Sequence, residues 1–126
     1  MQATGPFEVK MTPQDATEPN IGRFALDKQF HGDLEATSKG EMLSVMGHVQ
    51  GSAGYVAIER VTGTLHGRSG SFVLQHDATM NRGVPSLSIV VIPDSGSDEL
   101  AGLAGTMSIE VAAGGAHAYT FDYTLG

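Results

Sequence analysis

The sequence predicts an all-β domain, an antiparallel barrel of about eight strands with at most one short helical turn. Seventeen glycines among 126 residues, without a strict period and with only five prolines, indicate many tight turns rather than collagen or disorder. Between these glycines, apolar and polar residues alternate as they do in strands that bury one face. A chain of this length is the size of one domain, and residues 1–126 show no internal repeat or domain boundary.

The predicted strands follow one another along the chain with short turns between them. In order, they cover 7–11, 24–30, 34–38, 42–46, 55–65, 72–80, 87–92, 107–111 and 119–125. The third and fourth segments form one strand, in which Lys39-Gly40 predicts a bend or a bulge. Pairing of the last strand with an early one would remove both sheet edges and close the barrel, and a two-sheet sandwich is the alternative.

One segment, 97–103, is compatible with a helix. Ser97 is a suitable N-cap, and Asp98 and Glu99 suit the positive end of a helix. Gly102 and Gly105 then limit the helix to a single turn.

Charge and composition exclude several classes of function. Seven basic and 14 acidic residues give a net charge of -7, which disfavours nucleic acid as a partner. No apolar run approaches the roughly 20 residues needed to span a membrane, and the first ten residues lack the layout of a signal peptide. The chain has no cysteine, no phosphate-binding loop and no dinucleotide fingerprint. We therefore expect a cytoplasmic, bacterial-type protein that works without a cofactor.

The main candidate site is a carboxylate and an imidazole on the apolar face of the central hairpin. Glu59 shares a face with Tyr55, and His76 shares one with Phe72. If Gly67-Arg68 is a two-residue loop, Glu59 lies directly opposite His76. Such a pair can move protons in a dry pocket, which would make both residues catalytic. The pair can also be a buried ion pair that only fixes register, and the sequence leaves both interpretations open.

Other candidates are weaker. Tyr55, Phe72, Leu74, Tyr119 and Phe121 are predicted to line a ligand-binding lumen, although aromatic residues at strand spacing are also typical of a packed core. His31, Asp33 and Glu35 have the spacing of one strand face. Because Gly32-Asp33 has the character of a turn, no metal site is predicted there.

Five parts of the chain resemble a family of small bacterial proteins of unknown function. They are 32–38, 53–60 with 63–65, 67–76, 95–103 and 117–123. The resemblance implies a barrel similar to that of plant allene oxide cyclase, with dirigent-like proteins as more distant kin, and it supplies no catalytic residues. The plant cyclase binds a fatty-acid epoxide in its lumen without a cofactor and forms trimers. The resemblance therefore implies a lumen for an apolar small molecule and a homo-oligomer, either a dimer or a trimer.

Three functions follow as hypotheses. The first is a small-molecule-binding barrel, and the second is a cofactor-free cyclase or isomerase that uses Glu59 and His76. The third is a filled barrel that acts through its outer surface as an oligomer or partner module. A cavity of several hundred cubic ångströms is expected for the first two and not for the third. The sequence leaves enzymatic activity undecided.

Overall fold

Eight antiparallel strands, each paired with its neighbour in the chain, form a closed barrel in the computed structural model, which describes residues 1–126. The strands are β1 (Gln2–Gln14), β2 (Ile21–Phe30), β3 (Leu34–Met46), β4 (Ala53–Leu65), β5 (Arg68–Asn81), β6 (Val84–Val91), β7 (Leu103–Val111) and β8 (His117–Leu125). The predicted all-β barrel is confirmed, and every strand except β3 begins earlier than the alternation indicated.

Pairing between the first and last strands closes the barrel. Ala3 lies opposite Phe121, and Phe7 lies opposite His117. The sheet therefore has no free edge of the kind that a two-sheet sandwich leaves exposed. The weakest junction is between β6 and β7, where Val90 and Thr106 form the one registered pair. The long connection 92–102 joins these two strands.

β3 runs without the predicted bend or bulge at Lys39-Gly40. It pairs residue for residue with β2 on one side and with β4 on the other. A Cβ atom at Gly40 would lie 2.0 Å from the carbonyl oxygen of Ile58 and 2.8 Å from the Cβ of Glu59. Glycine at this position therefore allows a close approach of β3 to β4, and no residue is inserted.

The predicted helical turn is a single 3-10 turn, Asp98–Leu100, and the Ser97 side chain makes no capping hydrogen bond to it. The Ser97 hydroxyl instead accepts a hydrogen bond from the amide of Ser71 at 3.1 Å and contacts the Ser71 hydroxyl at 2.8 Å. This arrangement ties the connection to β5 and directs Leu100 into the core. No helix in the chain has the length and apolar character needed to cross a membrane.

The core fills one end of the barrel only. Its buried side chains cluster towards the end that carries both termini and the connections 31–33, 66–67 and 92–102. At the opposite end lie the connections 15–20, 47–52, 82–83 and 112–116. There the inward-facing residues Met11, Leu87 and Val111 are exposed. We call the first end the closed end and the second the open end.

Replacing Tyr119 with phenylalanine should destabilise the closed end. The Tyr119 hydroxyl accepts a hydrogen bond from the buried amide of Leu34 at 2.9 Å and donates one to the carbonyl of His31 at 2.7 Å. Its loss leaves the Leu34 amide unpaired, so the free energy of unfolding in urea should fall by about 1–3 kcal/mol. Tyr55→Phe is the matched control, because the Tyr55 hydroxyl has no protein partner. Equal effects of the two changes would contradict this account.

Candidate functional site

The turn between β4 and β5 sets the position of the two predicted site residues. It consists of His66 and Gly67, with φ angles of 47° and 79°, as a type I′ hairpin turn requires. Glu59 therefore lies opposite Leu74, and His76 lies opposite Ala57. The predicted loop, Gly67-Arg68, was wrong, because the turn lies one residue earlier in the chain. The residue opposite Glu59 is therefore two positions earlier than predicted. Because the side-chain period of a strand is also two, Glu59 and His76 still face the lumen together.

Three donors surround the buried carboxylate of Glu59. His76 Nε2 lies 2.5 Å from Oε2, and Lys28 Nζ lies 2.8 Å from the same oxygen. The Ser38 hydroxyl donates to Oε1 at 2.5 Å. Glu59 is fully buried, His76 is 3% exposed and Lys28 is 7% exposed. Four consecutive strands, β2 to β5, thus each contribute one side chain to a single polar cluster, which we call the Glu59 cluster.

Lys28 and Ser38 were not among the predicted site residues. Period-two alternation placed Lys28 on the apolar face of β2, between Leu26 and Phe30, and that unusual position was the available signal. In the structure, Lys28 Nζ lies 5.4 Å from the ring centroid of Phe7 and 5.9 Å from that of Phe30. These aromatic faces stabilise the buried ammonium group by cation–π attraction.

The electrostatics of the cluster keep Glu59 ionised. Burial alone would raise the pKa of the Glu59 carboxyl, but the hydrogen bond from His76 and the charge of Lys28 together lower the pKa to about 2. Nearby Tyr55 shows the opposite direction, since burial and then the charge of Glu59 raise the pKa of its phenol. Glu59 is therefore a fixed negative charge, and Tyr55 remains a neutral phenol that can donate a hydrogen bond.

One ring nitrogen of His76 is open to the lumen. An ionised carboxylate only accepts hydrogen bonds, so His76 Nε2 must donate to Glu59. His76 Nδ1 has no protein partner, and no buried side-chain nitrogen or oxygen in the chain lacks a partner. Nδ1 is therefore accessible, and in the neutral ring it carries the lone pair that a ligand would meet.

Above the cluster lies a cavity of about 340 Å³ that opens at the open end of the barrel. All eight strands contribute to its lining: Phe7, Val9, Met11, Leu26, Lys28, Met42, Tyr55, Ala57, His76, Leu87, Ile109, Val111 and His117. Lys28 and His76 form its polar floor, and Glu59 lies behind them, outside the lining. Most of the wall is apolar, so the cavity combines an apolar body with a charged base.

The other predicted residues divide between the two ends of the barrel. Tyr55 lines the cavity, as the lumenal hypothesis requires. Four other candidates lie in the packed core outside the cavity lining, at 2% exposure or less: Phe72, Leu74, Tyr119 and Phe121. Alternation indicated correctly that these four side chains face inward, but they fill the closed end of the barrel and do not line the cavity.

His31, Asp33 and Glu35 lie at the closed end, where His31 Nδ1 lies 3.8 Å from Glu35 and the other polar contacts of the three residues go to different partners. His31 Nε2 contacts Glu8 at 2.7 Å, and Asp33 accepts a hydrogen bond from the amide of Thr4 at 3.0 Å. Glu35 accepts one from the amide of Gly32 at 2.8 Å. No group of three or more histidine, aspartate or glutamate side chains is arranged to hold a metal ion.

Comparison with known proteins places this barrel in a family. Residues 3–123 match the family model described as "Protein of unknown function (DUF3224)". The chain belongs to the DUF3224 family. A DUF3224 protein of unknown function from Shewanella oneidensis MR-1, with a crystal structure at 1.84 Å resolution, is 51% identical in sequence to this chain. It superposes with a TM-score of 0.95, over 100% of this chain and 97% of that one. A search of curated proteins found no match.

The stability of this DUF3224 protein should depend on pH through Glu59. As pH falls from about 4.5, the unfolded chain binds a proton at this carboxyl before the native state does. The contribution of Glu59 is therefore fully present above pH 4.5, and about 3 kcal/mol is lost by pH 2. Urea unfolding of wild type and Glu59→Gln from pH 6 to pH 2 measures this contribution.

The stability difference between wild type and Glu59→Gln shows whether the pH dependence comes from Glu59. Glu59→Gln leaves Lys28 buried without a counterion, so we expect it to be less stable than wild type by about 3–5 kcal/mol at pH 6. The difference should shrink by about 3 kcal/mol at pH 2. A difference that does not change with pH would contradict the ionised state of Glu59.

Proposed function

We propose that the protein binds an apolar small molecule in its lumen, with one polar group of the ligand against His76 and Lys28. The observation that carries this proposal is the open cavity with apolar walls above a charged floor. Its volume of about 340 Å³ lies within the range of small-molecule sites. Tyr55, on the wall, supplies a hydroxyl without a protein partner that can bind a second polar atom of the ligand.

The distribution of packing along the barrel supports this proposal over a filled barrel. The closed end is filled by side chains, as an eight-stranded barrel permits throughout its length. At the open end, the small side chain of Ala57 leaves space beside the cluster. A second apolar pocket of about 330 Å³ adjoins the first and shares Met42, Tyr55 and Leu87 with it.

A neutral apolar fluorophore should report the lumen directly. N-phenyl-1-naphthylamine should bind wild type with enhanced fluorescence, and Ala57→Phe should weaken its binding at least tenfold by filling the cavity. Ile58→Phe is the matched control, since Ile58 is the next residue of β4 and faces outward with 53% exposure. If Ala57→Phe binds the fluorophore as well as Ile58→Phe does, lumenal binding is excluded.

The homo-oligomer, a dimer or trimer, also stays a prediction, and one surface favours it. Leu43, Val45, Val56 and Ile58 are exposed on the outer face of β3 and β4. Three of them, Leu43, Val56 and Ile58, line a groove of about 640 Å³. Contiguous apolar side chains of this kind mark association surfaces. The cytoplasmic location and the absence of nucleic-acid and membrane partners remain predictions as well.

Sedimentation velocity tests the association surface. We expect wild type to sediment as a dimer or trimer, and Val56→Lys/Ile58→Lys to sediment as a monomer. Thr62→Lys/Thr64→Lys, on the same outer face of β4, is the control that should keep the assembly. A wild-type monomer at micromolar concentration would exclude the homo-oligomer.

A further inference from the structure

We propose that the lumen catalyses proton transfer at the carbon next to the carbonyl group of a neutral apolar ketone. His76 acts as the base, and Lys28 stabilises the enolate oxygen. This inference rests on the lumenal binding proposed above and adds to it a reaction and a substrate class. It follows from which atoms of the Glu59 cluster reach the cavity and from the charge that the cluster carries.

His76 presents an imidazole ring on the cavity floor. Its Nε2–H is held by Glu59, so the lone pair of the neutral ring lies on Nδ1, which is open to the lumen. When Nδ1 takes a proton, the resulting imidazolium ion remains in contact with the ionised carboxylate. Glu59 is fully buried and cannot touch a ligand. It is therefore a positioning residue, and the direct proton-handling role considered from the sequence passes to His76.

Lys28 presents a fixed positive charge beside this base. Nζ uses one of its three N–H groups on Glu59, and the residue lines the cavity. Lys28 Nζ and His76 Nε2 contact the same carboxylate oxygen, and both residues line the cavity, so the two side chains lie side by side on its floor. An ammonium group in a water-poor site strongly stabilises negative charge that develops on oxygen.

The charge balance of the cluster favours a neutral ligand. The charges of Lys28 and Glu59 cancel, and His76 in its neutral form adds none. A carboxylate ligand would bring an uncompensated negative charge into an apolar lumen, which costs free energy. A ketone brings none, and the charges that arise during the reaction form between Lys28 and Glu59. The imidazolium ion faces Glu59, and the enolate oxygen faces Lys28.

The proposed step is balanced without any further reactant. The carbon–hydrogen bond next to the carbonyl breaks, and the proton moves to His76 Nδ1. The electron pair forms the enolate double bond, and the negative charge moves to the oxygen beside Lys28. Return of the proton to the same carbon exchanges or inverts that centre. In a β,γ-unsaturated ketone, its return to the γ-carbon shifts the double bond.

Hydrogen–deuterium exchange tests the proposal. Ketones of graded size, from cyclohexanone to 2-tetralone, are first tested for displacement of N-phenyl-1-naphthylamine. Exchange next to the carbonyl is then followed by proton nuclear magnetic resonance in deuterium oxide. For at least one displacing ketone, wild type should accelerate exchange by at least about 100-fold over buffer, as general acid–base catalysis does. His76→Gln should return exchange to the buffer rate, whereas His48→Gln, in an exposed connection, should match wild type.

Three further variants separate catalysis from structure. Lys28→Met should lower kcat by about 100- to 1000-fold with little change in KM, because the charge stabilises the enolate and not the ketone. Glu59→Gln should also lower kcat with KM unchanged. Ala57→Phe leaves every polar group in place but blocks the lumen, so it should abolish exchange even if His76→Gln fails to fold.

The outcomes distinguish this inference from lumenal binding itself. If no ketone displaces the fluorophore, or if displacing ketones exchange no faster with wild type than with His76→Gln or Ala57→Phe, the proposed catalysis is overturned. Lumenal binding would stand in that case, provided that Ala57→Phe still prevents fluorophore binding. If the fluorophore does not enter the lumen of wild type, both proposals fail.

Discussion

Compensation of one buried negative charge constrains this barrel more than any other interaction. A carboxylate inside a protein costs many kilocalories per mole unless donors surround it, and Glu59 obtains its donors from β2, β3 and β5. A slip of one residue in any of these strands would turn a donor to the outside of the barrel. The Glu59 cluster therefore fixes the register of four consecutive strands at once. Apolar contacts alone would specify this register less strongly, since neighbouring apolar side chains can replace one another.

The same cluster separates two ends of the barrel that have different physical roles. Below it, aromatic and aliphatic side chains fill the interior, and the Tyr119 hydroxyl ties β8 to the connection between β2 and β3. Above it, the interior is open, and the small residue Ala57 lies on the wall of the cavity. The Glu59 cluster forms the boundary between the two ends, because Lys28 and His76 line the cavity while Glu59, behind them, is fully buried.

The sequence predicted correctly whether a side chain faces the inside or the outside of the barrel. It did not predict where along the barrel axis that side chain lies. Alternation showed that Glu59 and His76 face inward, and this was confirmed even though the turn lies one residue earlier than predicted. Alternation does not say how far along the barrel axis a residue lies, so Phe72 and Phe121 could not be assigned to the packed end. Lys28 was missed for another reason. A lysine within an apolar face is meaningful only once a buried partner is known, and Glu59 lies 31 residues away on another strand.

Glu59 and His76 can be interpreted as a structural pair or as a chemical one. The two interpretations require different contacts of the His76 ring nitrogens. To hold Glu59 in register, His76 needs only the contact of Nε2 with the carboxylate. A purely structural histidine would have both ring nitrogens bonded or covered, because an unpaired polar atom in a core costs free energy. His76 has one nitrogen bound to the carboxylate, and its other nitrogen has no protein partner in a residue that lines the cavity. The structural role uses the first nitrogen, and the proposed removal of a proton from a ligand would use the second.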